Sequence, residues 1–142
     1  MARRKVLFVC AHNSARSQMA EAFIKQMASD RFEVESAGLE AGTLNPLAVE
    51  VMKEAGIDIS GNSSDSVFEF FQQGRRYHCV ITVCDEAQKE QCPVFPNTLE
   101  RLHWSFEDPS GFEGTWEEKL NKTRRVRDAL RTQIREWLET MP

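Results

Sequence analysis

Cys10 is followed six positions later by Arg16, in the stretch Cys10-Ala11-His12-Asn13-Ser14-Ala15-Arg16. A C-x5-R loop of this kind can aim its backbone N–H groups, and those of the helix after it, at a tetrahedral oxyanion. Arg16 would close the cradle with a planar, permanently charged fork. A thiol at a helix N-terminus beside a cation is poised as a nucleophile. Ser17 can donate its hydroxyl to that sulfur, and Asn13 suits a left-handed backbone position in the loop. His12 reads as a loop residue, because a thiolate needs no base. The competing reading makes Cys10 an inert strand-end thiol and Arg16 a surface residue.

Cys84 and Cys92 bracket a short polar segment, Asp85 to Gln91. Two thiols so spaced can pass oxidation along by thiol–disulfide exchange: one attacks sulfur at Cys10, the next carries it outward. On this reading Cys84 lies at the active edge, Cys92 lies further out, and the segment between them moves. The alternative is a pair of incidental thiols. Cys79 lies inside an apolar run and reads as core. Asp108, before Pro109, can protonate a departing oxygen or simply form a turn. Neither His nor Cys shows the paired spacing of a zinc site.

These groups need elements to position them. Val6-Leu7-Phe8-Val9 reads as a strand covered on both faces, leading into Cys10. From Ser17 the period becomes helical, with Met19, Phe23, Ile24 and Met27 on one face. Phe32 to Ser36 is a second strand, closed by Gly38. Asn45-Pro46 starts a helix that ends at Ala55 and Gly56. Ser63 or Ser64 starts another, with Val67, Phe70 and Phe71 as its apolar side. Cys79 to Val83 and Leu99 to Trp104 are the third and fourth strands. Glu107 to Gly114 is a loop. Trp116 to Met141 is an amphipathic helix with Trp116, Leu120, Leu130, Ile134, Trp137 and Met141 on its stripe.

Alternating strands and helices predict one α/β domain over residues 1–142, a four-stranded parallel sheet flanked by helices. Ligands in such sheets bind beyond the carboxyl ends of the strands. Cys10, Cys84 and Asp108 should therefore converge on one edge.

With 142 residues the chain can bury a core without disulfides. Its net charge of −4 argues against nucleic acid or an anionic membrane as partner. Neither a signal peptide nor a membrane span is visible, which points to the cytoplasm. There, four cysteines are expected to be catalytic, redox or metal-binding rather than structural disulfides. The chain is read as a monomer.

Taken together, "VLFVCAHNSARSQMAEAF", the pair Cys84 and Cys92, and Asp108-Pro109 resemble the thioredoxin-coupled arsenate reductases of the low-molecular-weight tyrosine phosphatase superfamily. The resemblance spans the chain and implies the phosphatase-like fold. It implies that arsenate is held by residues 10–16 and attacked by Cys10, with Asp108 assisting loss of water. Cys84 would then release arsenite by forming a Cys10–Cys84 disulfide. Cys92 would resolve this to Cys84–Cys92, the form reduced by thioredoxin, in the service of arsenic detoxification. A potassium ion is implied beside the loop, at Asn13, Glu21, Ser36 and Asp65. Phosphatase relatives carry tyrosines after the Asp-Pro pair, where this chain has Ser110 and Gly111. The lack of that aromatic wall favours arsenate over phosphotyrosine, and a small-phosphoester phosphatase is the alternative function.

Overall fold

The computed structural model describes residues 3–84 and 90–141. Four parallel strands form one sheet in the order β2-β1-β3-β4: β1 (Arg4–Cys10), β2 (Phe32–Gly38), β3 (Cys79–Thr82) and β4 (Glu100–His103). The helices are α1 (Arg16–Ala28), α2 (Pro46–Glu54), α3 (Val67–Gln72) and α4 (Trp116–Thr140), with a 3-10 turn at Pro109–Gly111. β1 lies between β2 and β3, so both of its edges are hydrogen-bonded and both faces are covered. Val6 to Val9 are accordingly fully buried, which is why they form an unbroken apolar run.

The two faces of the sheet are unequal. Val6, Phe8 and Cys10 of β1, with Cys79 and Ile81 of β3, pack into a large cluster against α1, α2 and α4. Leu7, Val9 and Val80 point the other way, into a smaller cluster with Val67, Phe70, Tyr77 and Phe95. The alternation follows from the two-residue period of a strand.

Local signals set the helix starts. Asn45 accepts from Leu47 N at 2.8 Å, with Pro46 in the first turn. Thr115 and Glu118 form a reciprocal capping box at α4. The buried stripe of α4 is Leu120, Thr123, Val126, Leu130, Ile134, Trp137 and Leu138. Trp116, expected on that stripe, is instead 50% exposed in the first turn. The α3 helix begins later than expected: Ser66 is its cap, Ser63 Oγ donates to nearby Asp65, and Ser64 Oγ turns back to brace a loop at His12 O. Phe71 is largely exposed, its ring meeting Phe95 edge-on. No helix among the described residues is long and apolar enough to cross a membrane.

Truncating Leu130, fully buried at the centre of α4, should be severe. Leu130→Ala is expected to cost roughly 2–5 kcal/mol in urea unfolding with an unchanged m-value. A loss below about 1 kcal/mol would show that α4 is not part of the core.

Candidate active site

β1 ends at Cys10 and α1 begins at Arg16, so the loop between them sits at the carboxyl edge of the sheet. Asn13 carries the bend in a left-handed conformation, φ 51°. The carbonyls of the loop are drawn outward, one after another. Cys10 O accepts from Leu39 N, Ala11 O from Glu40 N, His12 O from Gly42 N and Ser14 O from Asn45 N, at 2.9–3.1 Å. His12 O also accepts from Ser64 Oγ, and Asn13 O accepts from Gln18 Nε2. With its carbonyls held outside, the loop leaves its N–H groups for the interior. Asn13 N already donates to Cys10 Sγ at 3.2 Å. Ala15, at the start of α1, offers no side-chain cap, so no side chain of that residue competes for the first-turn donors.

The Asn13 side chain locks this arrangement. Its Oδ1 accepts from Asp65 N and Gln18 Nε2, and its Nδ2 donates to Ser17 Oγ at 2.8 Å and Ser36 Oγ at 3.0 Å. Ser17 Oγ lies 2.8 Å from Cys10 Sγ. Because Ser17 accepts from Asn13, its own hydrogen is available to the sulfur. Two donors therefore converge on Cys10, an arrangement suited to a thiolate.

Arg16 is 2% exposed. Nη1 donates to Phe106 O at 3.0 Å and Nη2 pairs with Asp108 Oδ2 at 3.2 Å. Asp108 Oδ1 caps the following turn by accepting from Ser110 N. The structure thus brings Cys10 and Ser17, and Arg16 and Asp108, together as expected, and Asp108 forms the turn that was one of its two readings. His12 is a rim residue, its side chain half-exposed and 3.9 Å from Glu40.

Cys84 is 1% exposed and lies in the large cluster with Cys10. Cys92 departs from expectation. It is 4% exposed and packs in the small cluster, on the opposite side of the sheet, against residues such as Val80 and Phe95. Phe95, three residues after Cys92, supplies the reason, since its buried ring meets Phe71 and Tyr77 edge-on and draws the chain inward. All four cysteines are free thiols. Burial pushes the Cys92 thiol up to about 11, against a smaller opposing pull from Arg101. Buried Cys79, pushed up to about 12, is core as expected. The expected motion of the segment between Cys84 and Cys92 falls on residues 85–89, outside the described residues.

The four residues expected to hold potassium share one network. Ser36 Oγ takes a hydrogen from Asn13 and gives its own to Glu21 Oε1 at 2.5 Å, while Asp65 N meets Asn13 Oδ1. The side chains of these four residues carry oxygen donors, including a mostly buried carboxylate at Glu21, the types that suit a hard cation, while Asn13 here turns its Nδ2 toward Ser36 and Asp65 joins through its backbone N. Such an ion would compete with Lys25 Nζ for Glu21 Oε2.

Sequence reasoning missed several residues. Gln18 Nε2 and Ser64 Oγ donate to the loop carbonyls of Asn13 and His12, and Phe106 holds Arg16 through its backbone carbonyl, which leaves no mark on residue type. Gly38 could have been found from its place at the end of β2. A Cβ there would stand 2.5 Å from Asn13 N and 2.7 Å from His12 C, so only glycine lets the loop come this close. The aromatic wall was also misjudged. Phe112 and Trp116, beyond the expected tyrosine positions, line a cavity with Ser14 of the loop and Pro109.

Gly38→Ala should displace the loop. Affinity for arsenate or phosphate, read by calorimetry, is expected to fall at least tenfold, equivalent to about 1.4 kcal/mol. Unchanged affinity would mean the loop tolerates movement at Asn13.

The Cys92 thiol has its own signature. Its raised value means that the folded state holds the proton more tightly, so this contribution to stability is full below pH 9 and lost as pH rises through about 11. Iodoacetamide labelling of reduced protein, mapped by mass spectrometry, should be slow at Cys92 near neutrality and still climbing at pH 10. A plateau near pH 9 would show an ordinary exposed thiol.

Comparison with known proteins agrees with this geometry. Residues 5–142 match the family described as low molecular weight phosphotyrosine protein phosphatase. An arsenate reductase of Halalkalibacterium halodurans is 44% identical over 99% of both chains. The solved structure of an arsenate reductase in the phosphate binding state superposes with a TM-score of 0.78 at 33% identity, over 98% of this chain and 99% of that one. A thioredoxin-dependent arsenate reductase of Corynebacterium glutamicum superposes with a TM-score of 0.69 at 26% identity, over 98% of this chain and 64% of its own. The chain belongs to the low molecular weight phosphotyrosine protein phosphatase family, in the branch of relatives named arsenate reductases.

Proposed function

We propose that this protein reduces arsenate to arsenite through Cys10, Cys84 and Cys92, with thioredoxin as the reductant. The observation that carries the reading is the second thiol. Cys84 is buried on the same side of the sheet as Cys10, just beyond the carboxyl end of β3. A phosphatase needs the loop, Arg16 and Asp108, but has no use for a thiol there. The Corynebacterium relative's thioredoxin dependence supports the choice of reductant.

The steps follow from the site. Arsenate sits on the inward N–H groups of residues 11–16 and against Arg16. Cys10 Sγ attacks arsenic, and an oxygen leaves as water with a proton delivered by Asp108. The Cys84 thiolate attacks Cys10 Sγ. The S–As bond breaks toward arsenic, which leaves as arsenite, and a Cys10–Cys84 disulfide remains. Cys92 then attacks Cys84 Sγ, freeing Cys10 and forming Cys84–Cys92, which the thioredoxin dithiol reduces. Cys92 must leave the small cluster to do this. A potassium ion, where bound, would be held by Asn13, Glu21, Ser36 and Asp65 and supply positive charge beneath the loop.

A weak phosphomonoesterase activity is the second reading, favoured by the Arg16–Asp108 pair beside the anion loop. Both readings separate in one series. With thioredoxin, thioredoxin reductase and arsenate, NADPH consumption should fall at least 100-fold in Cys10→Ser, Cys84→Ser and Cys92→Ser. Cys92→Ser should still release one equivalent of arsenite. Multiple turnover in Cys92→Ser would rule out the relay. Hydrolysis of p-nitrophenyl phosphate should be lost in Cys10→Ser and retained in Cys92→Ser.

A further inference from the structure

A cavity of about 440 Å³ opens beside the anion loop. Its inner end is Ser14, within the loop itself, and Pro109, the neighbour of Asp108. Leu44 forms one side; Phe112 and Trp116 form an aromatic side, and Lys119 stands at the rim. The volume falls within the range of small-molecule sites. Trp116 is 50% exposed, a large ring in the first turn of α4 that folding does not bury. Apolar aromatic surface of this kind beside a polar site marks binding rather than packing. Lys119 has no ion-pair partner among the described residues, so the rim carries an uncompensated positive charge. The cavity borders the anion loop at Ser14 and the Asp108 turn at Pro109, and its size and aromatic side suit an aryl group attached to an oxyanion held by the loop.

We propose that the protein also reduces arylarsonates, with the ring lying against Trp116 and Phe112. This rests on the arsenate-reduction reading. An arylarsonate keeps a tetrahedral As(V) centre and replaces one oxygen by carbon. Cys10 Sγ attacks arsenic and one oxygen leaves as water, as with arsenate, and the As–C bond stays intact. Cys84 then attacks Cys10 Sγ, and the electron pair of the S–As bond passes to arsenic. The sum is an arylarsonate plus two thiols giving an arylarsonous acid, one disulfide and one water. The two electrons come from Cys10 and Cys84. An aryl phosphate would occupy the same cavity, but would make no use of Cys84.

The test is a single turnover with fully reduced protein. Phenylarsonate and arsenate are mixed with it in parallel. Arsenic speciation is read by chromatography and the Cys10–Cys84 disulfide by mass spectrometry. Phenylarsonous acid and the disulfide should both form. Trp116→Ala, at a half-exposed position, should lower the subsaturating rate on phenylarsonate relative to arsenate by about tenfold. Arsenate reduced with phenylarsonate untouched would overturn the proposal and leave the arsenate reading intact. Neither reduced would overturn both. An unchanged rate ratio in Trp116→Ala would remove the ring from this cavity. Hydrolysis of p-nitrophenyl phosphate with phenylarsonate untouched would assign the cavity to esters and overturn the proposal.

Discussion

Turning a backbone loop so that its N–H groups face inward forces its carbonyls to face outward. Each of those carbonyls then needs a donor, since a buried one left unpaired costs about 1–3 kcal/mol. Here the donors come almost entirely from one piece of chain. Leu39, Glu40, Gly42 and Asn45, between β2 and α2, supply the N–H groups for residues 10, 11, 12 and 14. The pairing of β1 with β2 is therefore part of the anion site, because it brings this segment alongside. Gly38 is the hinge of that arrangement, with no room for a Cβ. Asn13 is the other fixed point, held by hydrogen bonds from both ends of its amide. A loop so over-determined loses little freedom when an oxyanion arrives, which is the basis of electrostatic preorganisation.

The sheet also divides the thiols. Cys10 and Cys84 share the large cluster, whereas Cys92 belongs to the small one. Cys92 nevertheless stays within electrostatic reach of Cys84, whose charge adds to the effect of burial on its thiol. A protonated, buried Cys92 is a poor nucleophile, so in the proposed relay its attack on Cys84 requires that it first be exposed.

Where residue type and position carry the signal, the sequence was readable. The Val6–Val9 run, the Cys10–Arg16 spacing, the left-handed Asn13 and the Asn45-Pro46 start are local or periodic features. Cys84 and Asp108 were placed by topology, because both follow strands of a parallel sheet. That Cys92 packs in the smaller cluster was not legible from the polar stretch before it, since the buried Phe95 after it holds the chain there. Ser64 was read as a helix start and proved to be a brace, since a serine near a helix can cap it or reach elsewhere. Backbone donors and acceptors, such as Phe106 O for Arg16, are invisible in a sequence because every residue has them.

The asymmetry of the two clusters says which part of the molecule can move. Oxyanion geometry depends on the large cluster and the loop, where α1, α2, α4 and β1 meet. Among the described residues, Cys92 sits where the short α3 helix, Leu39, Tyr77 and the Phe95 segment cover the sheet. Withdrawing a few side chains from that thin layer uncovers modest apolar area, at about 25 cal/mol per Å². The same motion on the other face would break the core. Elements that move in function come from the least stable part of a structure; Cys92, the resolving thiol of the proposed relay, lies in the smaller cluster, and Cys10, its attacking thiol, in the larger and more constrained one.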